Sequence, residues 1–293
     1  MTLSTTRLWD AYLIAGSVAE AVKALQHYGE GARLIAGGTD LVLLLEQSGR
    51  PAPAVIDITR IPGLRGVRLE GEEVVIGAAT TLSDVLASPL IARHAPSLRQ
   101  AALTIGSIQV RNVATLAGNV VNASPAADGA PPLLTLGARV VIAGPGGAQR
   151  EAPLERFLQG PRRVDLAPGE MVTHVRFPVC PQPERSVFLK VGLRWAMAIA
   201  TVNAALRLEM ADGRVTAARI ALGAVAPTVV RAGEAEQLLT GERLTEDVIA
   251  RAGEAARRSA CPIDDFRASA AYRLRIVDSL VQKGLRSLMH LAQ

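Results

Sequence analysis

Residues 104–128 read TIGSIQVRNVATLAGNVVNASPAAD, a run of small and turn-forming side chains around Gly106 and Gly118. The stretch Gly106 to Pro132, rich in small residues and turn formers, is too long to be an idle loop in a compact domain, which points to a function. A second glycine-rich turn lies upstream. Arg33-Leu34-Ile35-Ala36 reads as a short buried strand, Gly37-Gly38 as a turn, and residues 40–45 (DLVLLL) as a helix leaving it. Glycine permits positive φ and close approach of a ligand, and the freed N–H groups and the positive helix end face an anion. Thr39 adds a hydroxyl donor. The turn is neither GxGxxG nor GxxxxGK[ST], so neither a Rossmann nor a P-loop nucleotide site is indicated. Alone it reads as a tight connection; paired with 104–128 it makes two small-residue loops able to clasp one diphosphate from both sides.

Outward from these loops the chain is mixed α and β. Ser17 with Glu20 three residues on is a capping-box pattern, and Val18, Ala21, Val22 and Leu25 give the helix an apolar face. Strands are expected at 54–58 and 138–142, a hairpin at 66–69 and 74–77, and short helices at 82–87 and 97–102. From Val172 the pattern changes, with strands expected at 172–177, 186–191, 201–209 and 215–222, then helices at 233–239, 246–258 and 270–291. Pro178, Pro181 and Pro183 mark the expected boundary. The division is therefore 1–178, with subdomains of about 1–60 and 61–178, and 179–293.

Composition narrows the function. The chain has 293 residues, 49% of them hydrophobic, enough for a sizeable core. No apolar run approaches the ~20 residues of a membrane helix, and the N-terminus shows no secretory pattern, so the cytoplasm is the expected compartment. The net charge is +5, but the arginines are scattered and aromatics are 3%, which argues against a nucleic-acid surface. Cys180 and Cys261 cannot supply an iron–sulfur cluster or a closed zinc site, and the four histidines show no ligand spacing. Redox chemistry here would require an organic cofactor.

The quoted segments carry a resemblance. Ala36–Asp40 matches AGGTD, and 104–128 is similar to IGSxQIRNxGTxGGN followed by SPxxD, patterns of the FAD-binding medium subunits of the molybdenum hydroxylases, the xanthine dehydrogenase and carbon monoxide dehydrogenase family. Residues 188–200, 221–228 and 262–273 resemble the family's C-terminal domain. The resemblance implies an α+β chain. It would have a two-subdomain FAD-binding fold of the vanillyl-alcohol-oxidase (PCMH) type, then a C-terminal domain of antiparallel sheet plus helical bundle. FAD would contact Leu34, Ile35, Ala36, Gly37, Gly38, Thr39, Asp40 and Leu41 from the first loop, and Ile105, Thr115, Gly118, Asn119 and Asp128 from the second. Val172 and Lys190 complete the set, Lys190 as a cation favouring reduced flavin. Trp195 is open between a flavin contact and an interface anchor.

The resemblance further implies a role in electron transfer. A large partner subunit would carry the molybdenum–pterin cofactor and a small one [2Fe–2S] clusters, the three chains assembling as a dimer of heterotrimers. A stand-alone flavin oxidoreductase of the same fold and a non-catalytic nucleotide-binding assembly module are the alternatives. Thr39-Asp40 is closer to xanthine- and aryl-type members than to the His-Ser pair of carbon monoxide dehydrogenases. Ala114 and Ala117 stand where the family has glycine, which requires negative φ there and a methyl that clears the cofactor.

Overall fold

The computed structural model describes residues 7–180 and 184–290. The expected boundary prolines Pro181 and Pro183, and Leu291 of the last expected helix, lie outside the described residues. The chain opens with a strand that the sequence reading passed over, β1 (Trp9–Ile14), whose burial alternates along an edge position. Helix α1 (Val18–Tyr28) follows, with the Ser17 hydroxyl accepting from the Glu20 N–H; the Glu20 carboxylate reaches back to the Gly16 N–H at 2.8 Å. β2 (Arg33–Ile35), α2 (Leu41–Ser48) and β3 (Ala52–Asp57) complete a parallel sheet of order β1-β3-β2.

β4 (Val67–Glu70) and β5 (Glu73–Gly77) form the expected hairpin. The run that follows is helical: α3 (Leu82–Ala87), α4 (Pro89–His94), α5 (Pro96–Thr104), α6 (Ile108–Arg111), α7 (Leu116–Val121) and α8 (Ala130–Thr135). Segment 104–128 thus holds two short helices, α6 and α7, followed by turns over residues 122–128. β6 (Arg139–Ala143), β7 (Gln149–Pro153), α9 (Leu154–Phe157) and the small hairpin β8 (Leu158–Gly160) and β9 (Arg163–Val164) lead to β10 (Met171–Pro178). β10 lies at the centre of an antiparallel sheet of order β4-β5-β10-β6-β7. A single buried cluster, including Ile56, Leu82, Leu98, Leu116, Leu133, Ile142 and Phe177, joins this sheet to the helices and to the first sheet.

β11 (Arg185–Gly192), β12 (Ala200–Ala211), β13 (Arg214–Gly223) and β14 (Val230–Arg231) form a separate antiparallel sheet in sequential order. Helices α10 (Gly233–Leu239), α11 (Glu246–Arg258) and α12 (Ala270–His290) pack on it around a second core that includes Leu206, Ile220, Ile249, Val281 and Leu285. β12 is buried without alternation from Ala200 to Leu208. Helix α12 covers one of its faces while α8 reaches it from the first part of the chain. The buried stretch of β12 is apolar apart from Thr201, Asn203 and Arg207, which are buried with it. The seam between the two parts is hydrogen-bonded: the Ser97 N–H donates to Ser186 Oγ (3.2 Å), the Phe188 N–H to Gln100 Oε1 (2.8 Å) and the Ala224 N–H to the Pro125 carbonyl (2.7 Å).

Candidate functional site

The β2–α2 turn and the α6–α7 segment meet. Gly37 is pressed on the backbone of the second segment so closely that a Cβ there would sit 2.1 Å from the Val113 carbonyl oxygen and 2.8 Å from Ala114 Cα. Gly38 adopts φ +69°, a left-handed conformation natural to glycine. The second segment is pinned from behind: the Leu82 N–H donates to the Ala114 carbonyl (2.8 Å) and the Leu116 N–H to that of Thr80 (3.3 Å). Asn122 Nδ2 donates to Asp40 Oδ1 at 2.9 Å, tying the end of α7 to the start of α2.

Between them opens a cleft of about 860 Å³, within the range of small-molecule and cofactor sites, roughly 300–1,000 Å³. The turn, α2, the start of β3, and residues of α6–α7 line it, with Arg162, Leu166 and Glu170 at one lip. The N–H groups of Gly37, Gly38, Thr39 and Asp40 donate to no acceptor among the described residues. Asp40 is the N-cap of α2 yet makes no side-chain cap bond, its carboxylate being engaged by Asn122. Four successive unpaired N–H groups beside a helix N-terminus form a concavity suited to an anion. Across from it the Thr115 hydroxyl accepts from the Gly118 N–H (3.0 Å), and Asn119 Oδ1 from the Gly129 N–H (3.1 Å), so Thr115 and Asn119 hold the second wall in shape.

Of the expected contact residues, Leu34, Ile35, Ala36, Gly37, Gly38, Thr39, Asp40, Leu41, Ile105, Thr115, Gly118 and Asn119 all line this cleft. Asp128, Val172 and Lys190 do not. Val172 is a core residue of β10, paired with Ile142. Asp128 and Lys190 form a buried ion pair at 2.5 Å, their side chains 6% and 9% exposed. Asn203 Nδ2 donates to the other oxygen of Asp128 at 2.7 Å, and Lys190 Nζ also donates to the Thr104 carbonyl at 3.3 Å. Burial pushes the Asp128 carboxyl above its ordinary range, against the opposing pull of Lys190 and Asn203. The network thus backs two wall residues, Ile105 beside Thr104 and Asn119 through Gly129.

Two parts of the chain match known family models: the FAD binding domain in molybdopterin dehydrogenase over residues 5–180, and the CO dehydrogenase flavoprotein C-terminal domain over residues 188–288. The chain belongs to the FAD-binding subunits of the xanthine dehydrogenase and carbon monoxide dehydrogenase type. The putative xanthine dehydrogenase FAD-binding subunit of Escherichia coli is 33% identical over 93% of this chain and 94% of its own length. Carbon monoxide dehydrogenase from Hydrogenophaga pseudoflava contains a chain that superposes with a TM-score of 0.91 at 33% identity, covering 95% of this chain and 96% of that one. Quinoline 2-oxidoreductase from Pseudomonas putida 86 gives 0.90 at 29% identity, covering 96% and 97%.

The two departures from the family's glycine pattern are harmless to the backbone. Neither Ala114 nor Ala117 has positive φ, and both are buried, Ala117 in the first turn of α7. Trp195 is fully exposed on the β11–β12 connection, away from the cleft lining. Arg194 closes that connection by donating to the Met197 carbonyl (2.8 Å). Sequence reasoning missed Asn122 as the link to Asp40, and missed the arginines of the cleft, Arg33, Arg50 and Arg162. Asn122 lay inside the quoted segment, whereas scattered arginines carry no spacing signal.

Proposed function

We propose that the cleft holds FAD, with its diphosphate between the Gly37–Asp40 turn and the Thr115–Asn119 wall, and that this chain is the electron-transferring medium subunit of a molybdenum hydroxylase. The row of unpaired N–H groups from Gly37 to Asp40 carries this reading, because it supplies donors for phosphate oxygens in a turn whose two glycines let it seat against Val113 and Ile35. The apolar lining from Leu34, Ile35, Leu41 and Ile105 suits the aromatic ring systems at the two ends of such a ligand. Residues 1–178 serve as the cofactor-binding domain and 179–293 as the C-terminal domain.

FAD held in this cleft would supply the redox chemistry, linking [2Fe–2S] clusters on a small partner to an external acceptor such as NAD, oxygen or a quinone. A large partner carries the molybdenum–pterin centre where substrate is oxidised, and the assembly is a dimer of heterotrimers. This chain's own residues bind and orient: the turn holds the diphosphate, and Asp128, Lys190 and Asn203 fix the wall behind it. Relatives named for xanthine and for carbon monoxide are equally similar, so the substrate is left to the large partner.

The test is direct. The purified chain, reconstituted with FAD and desalted, retains a flavin absorption spectrum; a chain that stays colourless overturns the reading. Isolation from its native host brings down one iron–sulfur and one molybdenum subunit, and recovery of the chain alone with full activity favours a stand-alone flavoenzyme.

A further inference from the structure

Arg162 occupies a position that the fold does not reserve for arginine. It is the second residue of the Pro161–Arg162 turn joining β8 to β9, where Gly160 pairs with Arg163. Its φ is +57°. A two-residue turn with proline first and positive φ second is served by glycine or asparagine. An L side chain there is strained, and strained residues held in place cluster at functional sites.

The turn is also held where the cleft needs charge. The Arg162 N–H donates to the Ala123 carbonyl at 3.0 Å, and Ala123 is itself left-handed, with φ +46°. The next residue back, Asn122, is the one that bonds Asp40, the N-cap of α2. Two hydrogen bonds therefore tie the Arg162 backbone to the turn bearing the unpaired N–H groups. Arg162 is exposed at the lip, and its guanidinium bonds nothing among the described residues. Of the other charged groups of the cleft, Asp40 is engaged by Asn122 and Glu170 by Arg150, while Arg33 donates only to the carbonyl of its neighbour Ala32. Arg50 lies beyond the far end of α2, an eight-residue helix about 12 Å long.

We propose that Arg162 is the cation that closes on the diphosphate of the bound dinucleotide, completing from the lip the charge balance that the neutral N–H groups leave undone. A guanidinium pairs bidentately with phosphate oxygens, and charge-assisted bonds of this kind are the strong ones. This inference rests on the FAD reading above and adds a residue outside both glycine-rich segments.

The test uses Arg162→Gly in the full chain, stripped of flavin and titrated with FAD, ADP and riboflavin. Glycine suits the backbone at 162, so the thermal midpoint of the flavin-free variant equals or exceeds that of the parent. FAD and ADP bind about tenfold to a hundredfold more weakly, as expected for one lost charge-assisted contact. Riboflavin, which has no phosphate, binds as before. Arg162→Lys recovers part of the loss. Equal FAD affinity in parent and variant overturns the proposal while leaving the cofactor reading intact, as does a loss shared by riboflavin. A parent chain that binds no FAD overturns both.

Discussion

Gly37 and Val113, 76 positions apart in sequence numbering, are in backbone contact, the carbonyl of Val113 occupying the place where a side chain on residue 37 would begin. The obstacle is backbone rather than a flexible side-chain end, so it cannot step aside. Gly37→Ala should force the two walls apart and destabilise the chain by about 2 kcal/mol or more, in the upper part of the overpacking range. Gly38→Ala meets the Ile35 Cδ1 methyl at 3.1 Å and carries the left-handed penalty, about 1–2 kcal/mol. Urea unfolding with flavin absorbance per chain checks both. An alanine at 37 with the parent's midpoint and flavin content would contradict the contact.

The Asp128–Lys190 pair should behave as a buried ion pair does. Removing one partner strands the other charge, so Lys190→Met should cost about 3–5 kcal/mol. The double variant Asp128→Asn with Lys190→Met strands no charge and should recover most of that loss. Asp128→Ala should also weaken FAD retention, through the slackened walls at Asn119 and Ile105. A double-mutant cycle with no coupling, or unchanged flavin content in Asp128→Ala, would remove the network from the site.

His174 bridges sheet and loop on β10, its Nε2 at 3.3 Å from the Gly63 carbonyl and its Nδ1 at 3.1 Å from Thr173 Oγ1. Burial, followed by the nearby Arg68, holds its pKa below the ordinary value. The unfolded chain therefore binds the proton more tightly than the folded one, and stability rises with pH across the interval between that lowered value and about 6.5. As pH falls below about 6.5 the stability supplied by the neutral ring is lost. His174→Gln should flatten this part of the stability–pH curve, measured by urea midpoints between pH 5 and 7; an unaltered slope would place the titration elsewhere.

The two thiols should differ in reactivity. Cys180 is buried, and burial, with Glu184 adding to it, pushes its pKa up to about 12, while Cys261 is exposed. The thiolate is the reactive form. Iodoacetamide at pH 8 should label Cys261 alone in the folded chain and Cys180 only after denaturant, read by peptide mass. Rapid labelling of Cys180 in the native protein would show that this end of β10 opens.

Much of the architecture was legible because its signals are local. Helices α10 and α11 run over the residues that their periodicity marks, and the β4–β5 hairpin turns at Gly71, where φ is +60°. β1 was not legible: WDAYLI pairs only along one edge, with β3, and has no run of buried residues to announce it. Segment 104–128 announced function through its small residues, but its short helices α6 and α7 depend on caps at Ser107 and Thr115 and on support from Thr80 and Leu82, which no window of sequence contains.

The sequence by itself determined the strand–glycine–helix turn at 36–40, the family pattern of 104–128 and the change of pattern after Val172, since each is set by side chains adjacent in the chain. Tertiary structure alone decided that Gly37 must lie against Val113, that Lys190 spends its charge on Asp128 behind the cleft wall, and that Arg162 stands at the lip. Those facts arise where separate elements pack, and only the register of that packing sets which distant side chains meet.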